Sequence, residues 1–226
     1  MQLDGKWPAH EYFQYITSPG CRVHFSQFGE DTMIFDFFRN RQNGFYVDVG
    51  SFDPCVYSNT FLLWKRLSWS GINIDADPRA VKKFQAARPN DINIHSGVGA
   101  AAGSLKFSVF EAGAINSFDP AIARTMVPKF GEPTLIEVQV RPLADILDQH
   151  IQNGRRIDYL NIDCEGLDRE IVRTMNWQKY RPEVITVELN DIDPSHAYLD
   201  ESVKHLRDVG YKLKSLFHIT GLFHRI

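Results

Sequence analysis

The chain has 226 residues, which is the size of one ordinary domain. Hydrophobic residues make up 43% of it and charged residues 23%, proportions that are normal for a globular protein with a buried core. The formal net charge is -3 and the Lys and Arg residues are scattered, so a nucleic-acid-binding surface is not expected.

The spacing of the cysteines and of the apolar residues narrows the possible class of protein further. Cys21, Cys55 and Cys164 are odd in number and widely spaced, which argues against a disulfide framework and against a CxxC metal site. The N-terminal residues lack the basic and apolar regions of a secretory signal, and no stretch approaches the ~18 apolar residues of a membrane span. We therefore expect a cytoplasmic protein with reduced thiols and no membrane partner.

Helical and extended segments alternate along the chain. Ser26 is predicted to cap a first helix, whose first turn carries the acidic residues Glu30 and Asp31. The apolar stripe of this helix comprises Phe28, Met33, Ile34, Phe37 and Phe38. Strands are predicted at residues 45–49, 71–75, 92–95, 105–110, 135–140, 157–162, 184–189, 211–217 and 219–225. Further helices are predicted from residue 58, from Asp77-Pro78 to Arg88-Pro89, and at residues 143–150, 166–175 and 198–209.

This order predicts a doubly wound α/β fold. Strands that alternate with helices form a mostly parallel sheet covered on both faces. The last two strands have no helix between them, so they are expected to form a C-terminal antiparallel hairpin. We predict one domain over residues 26–226, with an N-terminal extension at residues 1–25. A lid or insert is expected near residues 111–134, where only Asp119-Pro120 suggests a short helix.

Acidic residues follow nearly every predicted strand, at the end of the sheet where ligands of open α/β sheets bind. Asp75 follows the second strand and can accept hydrogen bonds from both hydroxyls of a ribose, each contributing ~1.5–3 kcal/mol. Gly50 follows the first strand and lets the backbone approach a ligand closely.

The turn after the first strand distinguishes between nucleotide ligands. It has one glycine, Gly50, between two carboxylates, Asp48 and Asp53. A pyrophosphate, as in NAD, prefers a G-x-G-x-x-G loop and a helix N-terminus without nearby anions. S-adenosylmethionine has no phosphate but carries a sulfonium and an ammonium, so the sign of the charge favours it.

Seven short motifs stand in a fixed order along the chain. They are SQFGED at residues 26–31, FYVDVG at 45–50, SNT at 58–60, WSGINID at 69–75, RP at 88–89, DYLNIDCEG at 158–166 and RP at 181–182. As a set they resemble the FkbM-type methyltransferases, over roughly residues 26–226. The resemblance implies a Rossmann-like class I methyltransferase fold with a seven-stranded sheet. It also implies S-adenosylmethionine as the donor and O-methylation of a hydroxyl on a sugar, polysaccharide or polyketide-type metabolite.

The resemblance also assigns cofactor roles by position. Asp48 and Gly50 resemble the first cofactor motif, and Asp75 resembles the acid that binds the ribose. Gly97-Val98 lies where the adenine is flanked, and Asp163 resembles the residue near the methionine end. The full predicted cofactor set is Gln27, Asp48, Gly50, Ser51, Asn59, Asp75, Ala76, Gly97, Val98 and Asp163.

A hydroxyl acceptor is a poor nucleophile while it keeps its proton, so the site needs a device to remove or weaken that proton. Asp163 or Glu188 is the candidate general base. The alternative is Mg²⁺ or another divalent cation, which lowers the pKa of a bound hydroxyl. Asp163, Glu188 and Asn190, with Glu165 nearby, offer the oxygen ligands that such a cation prefers. Glu165 as a helix cap and Glu188 as a satisfied buried acid remain the alternative interpretation.

Three other functions compete with O-methylation. A nucleotide-dependent oxidoreductase is disfavoured by the missing glycines of the phosphate loop. A non-catalytic binding module is disfavoured by the intact Asp48, Gly50, Asp75 and Asp163. N-methylation is disfavoured because the fourth strand end lacks an Asn/Asp-Pro-Pro-Tyr pattern. The acceptor is expected to be a small molecule or glycan. The sequence identifies neither the individual acceptor nor the oligomeric state.

Overall fold

The computed structural model describes residues 22–151, 154–164, 166–190 and 192–226. Most of the predicted N-terminal extension lies outside these ranges, as do Cys21 and Glu165. The strands are β1 (Phe45–Val49), β2 (Ser70–Asp75), β3 (Ile92–His95), β4 (Gly97–Val98), β5 (Gly103–Val109), β6 (Thr134–Arg141), β7 (Tyr159–Ile162), β8 (Val184–Glu188), β9 (Tyr211–Phe217) and β10 (Thr220–Arg225).

The helices lie between the strands, as the alternation predicts. They are α1 (Glu30–Phe38), α2 (Phe61–Leu67), α3 (Pro78–Ala87), α4 (Pro120–Phe130), α5 (Leu143–His150), α6 (Asp168–Thr174) and α7 (Glu201–Asp208), with a 3-10 helix at Pro194–Leu199. Within the described ranges, no helix has the length and apolar character needed to cross a bilayer.

The main sheet has seven strands in the order β3-β2-β1-β7-β8-β10-β9. The first five strands of this order run parallel, and β10 is antiparallel to both β8 and β9. The predicted fold class is thereby confirmed, including the C-terminal hairpin. The order of the strands reverses between β1 and β7, which opens a crevice at their carboxyl ends.

The central strands are buried on both faces, which explains their apolar sequences. Successive residues of β1 point to opposite faces of the sheet. Val47 joins the larger core cluster, which includes Leu160 and Val187. Tyr46 joins the second cluster, where it packs with Trp69 beneath α1 and α2. The two layers of helices hold β1 and β7 rigidly, and therefore also the turns that follow them.

A smaller sheet in the order β4-β6-β5 stands beside the main sheet. Phe107 and Val138 attach it to the main body by packing on Ala76, directly after β2. The segment predicted to be irregular, residues 111–134, is partly helical, because α4 occupies Pro120–Phe130. Asp119 caps α4 by accepting a hydrogen bond from the amide of Ala121, as the Asp119-Pro120 pair suggested.

The start of α1 differs from the prediction. The helix begins at Glu30, and Gly29 rather than Ser26 is its N-cap residue. Ser26 still binds the helix start, because its hydroxyl accepts hydrogen bonds from the amides of Gly29 at 3.0 Å and Asp31 at 3.2 Å.

The predicted apolar stripe of α1 is only partly buried. Ile34 and Phe38 lie in the core, whereas Phe28, Met33 and Phe37 are 37–42% exposed. The exposed side chains lie against the final hairpin, where the rings of Phe28 and Phe37 contact His218 and His224. A thin edge hairpin covers a helix face less completely than the centre of a sheet does.

Candidate active site

An open cleft lies at the carboxyl ends of β1, β2 and β7, at the point where the strand order reverses. Its volume, including the mouth that is open to solvent, is about 970 Å³. The cofactor residues predicted from the sequence all line it: Gln27, Asp48, Gly50, Ser51, Asn59, Asp75, Ala76, Gly97, Val98 and Asp163. The fold thus brings residues from five separate motifs to one place.

Gly50 lies where the ends of β1 and β7 approach each other closely. Its φ is 78°, and a Cβ at this position would lie 1.6 Å from the carbonyl oxygen of Asp163. Its amide donates to the carbonyl oxygen of Ile74 at 2.9 Å, which ties the turn after β1 to β2. A side chain is therefore excluded, and the bare backbone forms part of the cleft wall.

Asp75 presents an oriented carboxylate at the end of β2. One oxygen accepts the amide of Phe52 and the other accepts the amide of Asp77, both at 2.7 Å. Burial raises the pKa of Asp75 to about 6, although these two bonds favour the charged form. Each carboxylate oxygen has a further lone pair that can accept a ligand hydroxyl.

Asp48 is held by the SNT and RP motifs. Its oxygens accept hydrogen bonds from the Thr60 hydroxyl at 2.8 Å and from the Asn161 amide at 2.9 Å. The guanidinium of Arg88, which is 1% exposed, donates to the same Thr60 hydroxyl at 2.9 Å. Burial raises the pKa of Asp48 despite these bonds. Thr60 and Arg88 therefore position the first acid without lining the cleft, whereas Asn59 and Asn161 line it.

The segment after β5 forms the opposite wall of the cleft. Asn116 anchors it, because the Asn116 side chain donates to Asp77 at 2.9 Å and accepts the amide of Phe110 at 2.7 Å. Arg79 closes the loop by donating to Asp77 and to the carbonyl oxygen of Phe110, each at 2.7 Å. Burial opposes ionisation of Asp77, but hydrogen bonds from Arg79 outweigh it and lower the pKa of Asp77.

Several lining residues were not predicted from the sequence. They are Glu30, Val49, Phe52, Tyr57, Ile74, Asp77, Ser96, Phe107, Gly113, Ala114, Asn116, Phe118, Asn161 and Cys164. Glu30 and Asn161 lie within motifs that carry the family resemblance, so their positions gave a signal. Asn116 and Phe118 come from the insert, where the sequence has no periodicity that indicates which side chains face inward.

Among the described residues, the charged side chains that line the cleft are all acidic. Five carboxylates line it, from Glu30, Asp48, Asp75, Asp77 and Asp163, and no Lys, Arg or His lines it among the residues described. Such a surface attracts a cation and repels a pyrophosphate. It therefore matches a sulfonium ligand better than a dinucleotide.

The residues predicted for catalysis and metal binding are only partly brought together. Asp163 lines the cleft, whereas Glu188 and Asn190 do not. Carboxylate oxygens of Asp163, Glu188 and Asp168 nevertheless lie within 4.8 Å of one another. Asn190 supports this group, because its side-chain amide donates to Glu188 at 3.1 Å.

Asp168 was not predicted to belong to this group. Its carboxylate already accepts hydrogen bonds from the protein backbone. Its two oxygens accept the amides of Cys164 at 2.7 Å and Gly166 at 3.1 Å, which closes the turn after β7. Burial raises the pKa of Asp168. Its position at the start of α6 accounts for it without a ligand.

Comparison with known proteins gives the family. The model of the methyltransferase FkbM domain matches residues 43–213, which is more than half of the chain. Among solved structures, the methyltransferase FkbM from Methylobacillus flagellatus KT aligns with 15% identity and a TM-score of 0.47. The match covers 80% of this chain and 43% of that chain, so this chain spans less than half of its length. No curated protein matches the chain. Because this family model matches more than half of the chain, the chain belongs to the FkbM methyltransferase domain family.

Proposed function

We propose that this methyltransferase transfers the methyl group of S-adenosylmethionine to a hydroxyl of a sugar, polysaccharide or polyketide-type metabolite. The carboxylate-lined cleft at the switch point of the sheet carries the proposal. A phosphate ligand would meet five like charges there, whereas a sulfonium and an ammonium meet complementary ones.

The residues of the cleft fit the parts of this donor. Asp75 would accept the two ribose hydroxyls, and Ala76 with Gly97-Val98 would flank the adenine. Gly50 lets the backbone at the ends of β1 and β7 come into contact, and the methionine portion would lie against this part of the cleft wall. When bound, S-adenosylmethionine supplies an electrophilic methyl group.

Asp163 is the best-placed general base. It lines the cleft, and its carboxylate also lies within 4.8 Å of the carboxylates of Glu188 and Asp168. It would accept the acceptor's proton, and Glu188 with Asn190 would form the floor that positions it. In the alternative, the oxygens of Asp163 and Glu188 hold Mg²⁺. Assays with EDTA and with added Mg²⁺ separate the two mechanisms, since only the second loses turnover on chelation.

Calorimetric titration with S-adenosylmethionine and S-adenosylhomocysteine tests the donor, with NADH as the control ligand. We expect micromolar binding of both S-adenosyl compounds, loss of it in Asp75→Ala, and no binding of NADH. Asp53→Asn is the matched control, because Asp53 follows Phe52, whose amide binds Asp75, but its own carboxylate pairs with Lys83 at 2.8 Å. NADH binding alone would favour the oxidoreductase, and donor binding without turnover of any hydroxyl acceptor would favour the non-catalytic module.

A further inference from the structure

The side-chain oxygen of Asn59 stands out in the cleft. Asn59 is 6% exposed, and its Oδ1 is buried without a hydrogen-bond partner among the described residues. A buried unpaired acceptor costs roughly 1–3 kcal/mol, so it requires an explanation. The residue lines the cleft, which makes a ligand the natural partner.

A chain of hydrogen bonds fixes which way the Asn59 amide faces. A guanidinium only donates, so the bond from Arg88 to the Thr60 hydroxyl leaves that hydroxyl to donate to Asp48. The other oxygen of Asp48 accepts the side-chain nitrogen of Asn161 at 2.9 Å. Asn161 must therefore present its oxygen on its other side.

That oxygen receives the Asn59 side-chain nitrogen at 3.0 Å and the Thr186 hydroxyl at 2.6 Å. Turning the Asn59 amide over would set its oxygen against the oxygen of Asn161. The nitrogen of Asn59 is thus committed to the protein, and the group it offers to the cleft is an acceptor.

Glu30 adds a negative charge on the same side of the cleft. It is 2% exposed, lines the cleft, and accepts the amide of Phe28 at 2.9 Å. The Ser58 amide donates to the carbonyl oxygen of Phe25 at 2.9 Å, so the segment that leads to Glu30 lies beside the turn that carries Asn59. Burial raises the pKa of Glu30, and the like charge of Asp31 adds to this.

We propose that Asn59 Oδ1 and the Glu30 carboxylate together bind the ammonium group of the donor's amino-acid end. The inference rests on the proposed function, since it concerns the same cleft and the same donor. It adds a direction: the ammonium lies toward the SNT motif and α1, and the α-carboxylate lies away from them. Both groups accept and neither donates, so they discriminate against a carboxylate at this position.

Three ligands test the proposal by calorimetry: S-adenosylhomocysteine, its analogue lacking only the amino group, and its analogue lacking only the carboxylate. In Glu30→Gln, we expect the two amino-bearing ligands to bind about 10- to 100-fold more weakly, with the deaminated analogue unchanged. Asn59→Leu, which keeps the approximate shape but loses the acceptor, should give the same selective loss.

Asp31→Asn is the matched control. Asp31 is buried in the same turn, but its carboxylate binds the Phe25 amide and the Ser26 hydroxyl. Its substitution should therefore change all three affinities alike or not at all. Equal weakening of all three ligands in Glu30→Gln, or no weakening, overturns the proposal while leaving the donor assignment intact. Failure of the unaltered protein to bind S-adenosylhomocysteine overturns the proposed function itself.

Discussion

Gly50 determines how closely the ends of β1 and β7 approach each other, because it has no Cβ. Any L residue here would adopt a left-handed backbone, at about 1–2 kcal/mol, and would also press on the Asp163 carbonyl oxygen. The turn would have to move away from the sheet, and the cleft would change shape with it.

We expect Gly50→Ala to lower the free energy of unfolding by at least about 2 kcal/mol and to abolish binding of S-adenosylhomocysteine. Urea denaturation and calorimetry measure the two effects. Gly103→Ala is the control, because a Cβ at Gly103 meets nothing within 4 Å. Full binding by Gly50→Ala would show that the turn tolerates displacement and that the close approach is incidental.

The turn from β1 to α2 depends on one buried cation. Arg88, at the end of α3, donates to the hydroxyls of Tyr46 and Thr60 and to the carbonyl oxygen of Pro54. Its guanidinium also lies among aromatic rings, 5.0 Å from the Phe84 centroid. One side chain thus connects α3 with the turn that orients Asp48.

Arg88→Met should therefore cost about 3–5 kcal/mol of stability, because Asp48 would remain buried without the cation that acts on it. Variants that still fold should bind S-adenosylhomocysteine more weakly, since the hydroxyl of Thr60 would no longer be oriented. Arg156→Met is the control, because Arg156 is a surface residue whose contact with Glu183 is 3.9 Å long. Similar urea midpoints for both variants would contradict the role given to Arg88.

The elements differ in how well their sequences reveal them. The strands β1, β2, β7 and β8 were predictable because they are short runs rich in aromatic and β-branched residues, although each also contains a buried polar residue. The full extent of α4 was not, because Ala123 is its one buried residue and no apolar stripe marks it. The exposure of Met33 depends on the final hairpin, which is distant in sequence, so local periodicity overstated its burial.

The same distinction holds for the cleft as a whole. Asp48, Gly50, Asp75 and Asp163 were predictable, because a residue that follows a parallel strand must lie at the carboxyl edge of the sheet. The wall formed by Asn116 was not, since it depends on hydrogen bonds to Asp77 that no local pattern specifies. The grouping of Asp168 with Asp163 and Glu188 likewise needed the turn after β7 to be closed.

The molecule concentrates buried carboxyl groups at one end of the main sheet, and their ionisation should govern how its stability depends on pH. Burial raises the pKa of Asp75 to about 6, and burial also raises the pKa of Glu30, Asp48 and Asp168. In the unfolded chain these groups return to about 4. Between about pH 4 and pH 6, these groups therefore hold more protons in the folded protein than in the unfolded chain.

The sign follows from proton linkage: where the folded state binds more protons, the free energy of unfolding falls as pH rises. We expect stability to increase as pH falls from 7 to 5, by about 1 kcal/mol from Asp75 alone. Asp53 and Asp77 have lowered pKa values, so their opposing effect begins only at more acidic pH. Urea denaturation at pH 7 and pH 5 measures the difference, and Asp75→Asn should reduce it. An equal gain in Asp75→Asn would show that Asp75 is not the source, and a loss of stability toward pH 5 would show that the buried acids do not govern the pH dependence. A gain that depends on Asp75 would therefore assign the pH dependence to the burial of this carboxyl group.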